Sequence, residues 1–283
     1  MSTWPDRSAS RAVAGTPLPG SHPADRLSLR SGELVLLTID SDLAQFAANR
    51  LHAAFPELHI ILEDRVSRAA LLRRRVKRAG FVQVVGQLAF IASALLLRRI
   101  SHNRISEIRR NEHLQSGWPK DCEVIRVASV NAPECVAQLQ RLRPKAVLVV
   151  GTRIIARDVL SAVARPFINY HAGITPKYRG IHGGYWAKAG DDLANFGVTV
   201  HLVDPGIDTG AVLYQTRLQP TERDNYATFP YLQIAAALPL LERAARDAIA
   251  GALAPTEVDL PSRLWSHPTF WGYIRAGLRR GAW

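Results

Sequence analysis

The sequence predicts an α/β fold, a mostly parallel sheet covered by helices on both faces, and three features carry that expectation. Short β-branched apolar runs recur along the chain. Segments with apolar residues at helical spacing separate them, and clusters of Gly, Pro, Asp and Ser mark the joins. Parallel strands covered on both faces read as continuous apolar runs, and ligands in such sheets bind at the carboxyl ends of the strands.

Taken in order, residues 1–32 are rich in Ser, Pro, Arg and Ala and read as a flexible leader. They lack a charged stretch followed by an apolar core, so no secretory signal is expected and the protein is read as cytoplasmic. ELVLLTI at 33–39 is the first strand. Residues 40–54 follow as a helix with Asp40 or Ser41 as N-cap, and LHIIL at 58–62 is the second strand. CEVIRVA at 122–128 gives a strand and Pro133–Leu142 a helix. AVLVV at Ala146–Val150 is a buried strand, residues 156–164 a helix, and FINYH at Phe167–His171 another strand. FGVTVHLV at 196–203 alternates as a half-buried strand, DPGIDTG at 204–210 is a turn-rich loop, and 211–218 is a further strand. A long helix over 226–250 closes a single domain at 33–251. Residues 252–283, including SRLWSHPTFWGY, are left as a short appendage.

The 283 residues are 47 % hydrophobic, enough for a proper core. Cys122 and Cys135 have neither a CxxC spacing nor a nearby His cluster, so they read as reduced thiols and no metal site is expected. No Gly-Lys-Ser phosphate loop and no GxGxxG is present. The net charge of +12 sits mostly in residues 65–118, where twelve basic residues face two acidic ones. That segment also holds AGFVQVVGQLAFIASALLL at 79–97, bracketed by RRRVKR and RRIS. By length it could span a bilayer, but it falls between two strands of one sheet, which disfavours spanning. A helix buried under the sheet or in a homodimer contact remains open, as does an element lying on an anionic membrane or covering a substrate.

In a strand, residues i and i+2 share a face, so Asn169 and His171 project together where the apolar run ends in Gly173, Pro176 and a Tyr178-Arg179-Gly180 corner. With PKYRG at 176–180, GVTVH at 197–201 and IDTG at 207–210, this order of motifs resembles the catalytic domain of the folate-dependent formyltransferases. That family acts on glycinamide ribonucleotide, methionyl-tRNA and sugar-nucleotide amines. The resemblance is strongest from Ala146 to Gln215 and weak before Cys122. It implies a Rossmann-like sheet of the formyltransferase type, here carrying a basic helical insertion at 65–118.

The resemblance also implies a catalytic trio of Asn169, His171 and Asp208 and a formyl donor, 10-formyltetrahydrofolate. Attack of an amine on a formyl carbon develops negative charge on oxygen. An Asn amide and an imidazolium aimed at that oxygen stabilise it, while Asp208 holds the His charged or takes the amine proton, directly or through water. Thr152, Arg153, Ile154 and Ile155 would wrap the pterin, with Asp204, Gly206 and Ile207 offering backbone groups to its polar edge. Arg153 either meets an anionic ligand or is a solvated helix-start residue. Tyr178, Arg179, Gly180 and His182 would flank the acceptor, although His182 reads equally as loop packing. His201 alternates on its strand and is read as structural. The acceptor expected is a small or glycan-linked primary amine, a nucleotide amino sugar ahead of a hydroxylamine-bearing or lipid-linked one. A hydrolase releasing formate is one alternative. An enzyme acting on charged tRNA is another, disfavoured because methionyl-tRNA enzymes carry an extra C-terminal domain, and with it a nucleic-acid partner.

Overall fold

The computed structural model describes residues 33–66 and 80–283. The expected leader at 1–32 and the basic run at 67–79 lie outside the described residues. The described residues form one compact unit built on a seven-stranded sheet. Its strands are β1 (Leu34–Ile39), β2 (Leu58–Glu63), β3 (Val124–Val127), β4 (Ala146–Val150), β5 (Phe167–His171), β7 (Gly197–Leu202) and β8 (Val212–Arg217), in the order β3-β2-β1-β4-β5-β7-β8. The first five run parallel, and β7 and β8 are antiparallel additions at the β5 edge. This is the mostly parallel α/β sheet that the strand-helix alternation predicts.

Both faces of the sheet are covered. On one, α1 (Asp42–Ala54) and α7 (Phe229–Ala250) bury Phe46, Leu51, Tyr231, Ile234, Leu238 and Leu241 against Leu36, Leu148 and Ile168. Their apolar residues recur at three- and four-residue intervals, so each helix presents one stripe. Ser41 Oγ caps α1 by accepting the Ala44 N–H at 3.2 Å, as the sequence suggests. On the other face, α4 (Pro133–Leu142) and α5 (Arg157–Ala162) bury Cys135, Leu139 and Val159 over Val35, Leu37 and Val147. Burial pushes the Cys135 thiol up to about 12 and Cys122 to about 11, so both remain protonated thiols at neutral pH.

Two parts of the fold differ from expectation. The segment after 251 is woven into the body rather than appended. Its strand β9 (Leu264–Trp265) pairs in parallel with β6 (Arg179–Gly180), its helix α8 (Phe270–Arg280) packs on the insertion, and the Trp283 carbonyl accepts the Tyr226 N–H at 2.8 Å. The apolar run forms α2 (Phe81–Ile100), which is not buried under the sheet. Only one side is packed: Gly86 lies against Thr269 at the start of α8, close enough that an added Cβ would come within 3.1 Å of it. Phe90 on the same side enters an aromatic cluster with Tyr185, Tyr226 and Tyr273. The following helix α3 (His102–Asn111) is tied down by Arg104, whose guanidinium donates to the buried Asp224 at 2.8 Å and to Glu107 at 2.8 Å. Part of the basic excess is therefore spent inside the protein.

Candidate active site

The β5–β7 register sets the site. Asn169 lies opposite His201 and His171 opposite Thr199, so in an antiparallel pair all four side chains stand on one face. Thr199 is fully buried, accepts the Thr175 N–H at 3.1 Å and donates to the Gly173 carbonyl at 2.8 Å. Gln215 on β8 donates to the Thr175 carbonyl at 2.7 Å, so two strands hold the corner after β5. That corner has no room for side chains: a Cβ on Gly173 would sit 2.8 Å from His171 Nε2 and 2.7 Å from the Tyr178 carbonyl.

Asp208 is the hub. It occupies the left-handed region with φ 50, accepts the Gly180 N–H at 2.8 Å, and reaches His171 Nδ1 at 3.4 Å, His201 Nε2 at 3.5 Å and Asn169 Nδ2 at 3.4 Å. Burial raises its pKa, but the neighbouring His201 and His171 rings and the Gly180 N–H together hold it below the usual carboxylate range. Arg179 fixes the loop from the other side, donating from Nη1 to the Ile207 carbonyl at 3.0 Å.

His171 differs from the charged, cavity-facing imidazole that the resemblance implies. Its Nε2 lies 2.6 Å from the Tyr178 carbonyl, which can only accept, so Nε2 carries a hydrogen directed at the chain and not at the cavity. Burial lowers its pKa more than Asp208 and the Tyr178 carbonyl raise it. The ring is therefore neutral at pH 7, with the Nδ1 lone pair facing Asp208. His201, read from sequence as structural, stands at the centre of the site. Its Nδ1 donates to the Leu202 carbonyl at 2.7 Å, and its Nε2 lies 3.1 Å from Asn169 Nδ2.

Asn169, His201 and Asp208 line a cavity of about 480 Å³. Its walls are Thr152, Arg153, Ile154, Ile155, Asp204, Gly206 and Ile207, together with Val149, Val203 and Gly180. His171 stands behind this surface, 6 % exposed. Arg153 lines the cavity, but its charge is engaged. Its Nε is 2.6 Å from the buried Glu63 carboxylate, and its Nη2 donates to the Asp64 carbonyl at 2.7 Å. It is neither a free anion receptor nor a solvated residue, and it braces the loop after β4 against the end of β2.

Of the four residues expected beside an acceptor, only Gly180 lines this cavity. Tyr178 is buried, its hydroxyl donating to Asp192 at 2.7 Å and its ring stacked on Trp265 at 5.8 Å. Arg179 serves the Asp208 loop. His182 opens α6 (Gly183–Ala189) with φ 61 and meets the Tyr226 hydroxyl and His267 Nδ1, each at 3.0 Å, within the packing of the aromatic cluster. The sequence reading also missed Leu264, Trp265 and Ser266, which complete the cavity wall from the C-terminal segment. No short motif marks them.

A family model described as formyl transferase matches residues 73–229, more than half the chain. The chain belongs to the formyl transferase family. Among curated relatives, the methionyl-tRNA formyltransferase of Anaeromyxobacter dehalogenans is 31 % identical over 193 residues, covering 63 % of this chain and 62 % of that protein. The methionyl-tRNA formyltransferase of Pelotomaculum thermopropionicum is 33 % identical over 115 residues, covering 40 % of this chain and 36 % of that one. The match thus spans less than two thirds of these relatives. Among solved structures, a sugar N-formyltransferase from Shewanella sp FDAARGOS_354 superposes with a TM-score of 0.52 at 16 % identity, over 82 % of this chain and 75 % of that one. Glycinamide ribonucleotide transformylase 1 from Symbiobacterium toebii gives 0.51 at 16 % identity, over 78 % and 89 %. These likenesses are of fold.

Proposed function

We propose that the protein is an N-formyltransferase that moves a formyl group from 10-formyltetrahydrofolate to a primary amine of a small or glycan-linked acceptor, with Asn169, His171 and Asp208 as its chemical groups. The observation that carries this reading is the meeting of Asn169 and Asp208 at the floor of an apolar-walled cavity, with a neutral, buried His171 directly behind the carboxylate.

The cavity suits a flat, polar-edged ring. Ile154, Ile155 and Val203 offer apolar faces, and the 204–208 loop brings backbone amides and carbonyls to one rim. A bound 10-formyl folate would supply the activated formyl carbon. The residues must do the rest. Asn169 presents an amide donor whose 3.4 Å contact with Asp208 is long and so is readily exchanged for a substrate oxygen carrying developing charge. The attacking amine has to lose a proton. Asp208, held ionised, is a weak base and serves as a relay, and Nδ1 of neutral His171 at 3.4 Å can receive the proton. The imidazolium so formed, with Asp208 beside it and the Tyr178 carbonyl on its other nitrogen, would return that proton through Asp208 to the folate N10 as its bond to the formyl carbon breaks, leaving the formamide and tetrahydrofolate.

For the acceptor, a nucleotide amino sugar remains the first choice, supported by a fold shared with sugar N-formyltransferases. A tRNA acceptor is the second reading, favoured by the names of the curated relatives. The direct test is to supply 10-formyltetrahydrofolate with a panel of nucleotide amino sugars or with methionyl-tRNA and follow the loss of donor. Formate release without any amine supports a hydrolase instead. In parallel, millimolar 5-formyltetrahydrofolate should raise the melting temperature, as any ligand selective for the native state does. No shift and no donor consumption would remove the folate reading.

A further inference from the structure

We propose that α2 docks the protein on an anionic lipid bilayer, lying in the plane of the interface with its outer face among the headgroups and upper acyl chains. Phe81, Val82, Val85, Leu88, Leu95 and Leu96 fall on one side of this helix and are 44 to 82 % exposed. At 1.5 Å per residue, twenty residues make a strip about 30 Å long, well beyond the single apolar residues that a water-facing surface normally shows. Ala89 and Ala92 fill the strip between the larger side chains, and both are exposed.

The helix is long and apolar enough to cross a membrane. Its inner side argues against crossing. Val84 and Phe90 are each 1 % exposed within the protein, and Gly86 is pressed onto Thr269, contacts that a spanning helix must give up. An element lying flat needs only one apolar face, and that is what remains.

Charge selects the partner. RRRVKR at 73–78 immediately precedes α2 in the sequence, and Arg98 and Arg99 end it. Arg98 is paired with Asp42 at 2.7 Å, while Arg99 is exposed. The run that adjoins the helix in sequence and the exposed Arg99 give this part of the chain a positive balance, which an anionic leaflet attracts. On the neighbouring helix α8, two residues beyond the Thr269 contact, Trp271 is 71 % exposed, and tryptophan favours the boundary between headgroups and acyl chains.

Sedimentation with phosphatidylcholine vesicles, with and without phosphatidylglycerol, tests this independently of any enzymatic activity. The full-length protein should pellet with the phosphatidylglycerol vesicles at low salt and be released at high salt. Val85→Asp combined with Leu96→Asp should cut the partition at least about tenfold, because both add charge to the buried side of the contact. Far-UV circular dichroism and donor consumption should be unchanged, since neither residue lines the cavity. Equal binding to neutral vesicles, or no binding at low salt, overturns the proposal. So does a dimer that the same double substitution dissociates, which would make the strip an interface between copies.

Discussion

The floor of the cavity and the outer face of α2 follow opposite rules. At the floor, polar groups are buried and held: Asp208 accepts from Gly180, Asn169 meets His201, and Thr199 both donates and accepts. Along α2, large apolar side chains face outward. Burying polar groups is tolerable only when each is satisfied, and exposing apolar groups is stable only when something else covers them. The first region is therefore held chiefly by contacts within its own framework. The second is indifferent to its neighbours in the chain and is defined by what it meets.

The largest expected effect falls on the floor. Asp208→Asn keeps the size and the Gly180 contact but removes the charge through which the amine proton would pass. Formyl transfer should fall at least about a hundredfold, the usual scale of an acid-base contribution, with folding retained. Near-normal turnover by this variant, read as donor loss at saturating amine, would contradict both the relay and the placement of chemistry at this end of the sheet.

Next is Gly173→Ala. The added methyl would lie 2.7 Å from a backbone carbonyl and 2.8 Å from His171, and Gly183 behind it cannot give way, because its own Cα is in the same contact. A cost of about 1–3 kcal/mol is expected from overpacking, read from chemical denaturation. The same change displaces His171, so activity should drop together with stability. A stable, active variant would mean that the floor is looser than its contacts imply.

A smaller effect is the pH dependence of stability. The folded-state pKa of His171 lies below its ordinary 6.5, because burial disfavours the charged form. The unfolded chain then binds more protons, so stability is full above about 6.5 and is lost as the pH falls through the lower folded value. Asp208 acts in the same direction but further down: its contribution is present above 3.8 and disappears as the pH drops through its depressed folded value. His171→Asn should therefore flatten denaturation midpoints in the weakly acidic range and leave the steeper loss at lower pH. A variant with the wild-type slope just below 6.5 would assign that slope to another group.

How much of this contrast is legible in the sequence depends on the range of the interactions. Asn169 and His171 share a face by strand period alone, while the resemblance carried by the IDTG motif adds Asp208, so the proposed trio can be named without a structure. What His201 does cannot be named that way, because alternation gives its face but not the strand opposite, and only the Asn169–His201 register brings it to the amide. Arg153 shows the same limit: its position is readable, while its partner Glu63 comes from the end of a strand 90 residues earlier. Leu264 to Ser266 reach the cavity through a parallel pairing with Arg179 and Gly180 that no local pattern announces. For α2 the length is plain, but a run that is apolar all round carries no periodic signal for which side is packed.

That ambiguity supplies the smallest and most discriminating effect, a pair of substitutions within one helix. Phe90 is 1 % exposed and makes an edge contact with Tyr226 at 4.7 Å and another with Tyr273 at 5.1 Å. Its replacement by Ala leaves a cavity lined by rigid rings that cannot close over it, at a cost of about 3–5 kcal/mol. Leu96, six residues on, is 59 % exposed, and Leu96→Ser should change stability in solution by no more than about 0.5 kcal/mol. The difference between the two costs is the quantity of interest, measured by urea denaturation in the absence of lipid. A large cost for Leu96→Ser would show that the outer strip is already covered in solution, by a second copy or by the basic segment that precedes it. A negligible cost leaves the strip as a surface that contributes nothing to folding, which is the property required of a face kept for a lipid partner.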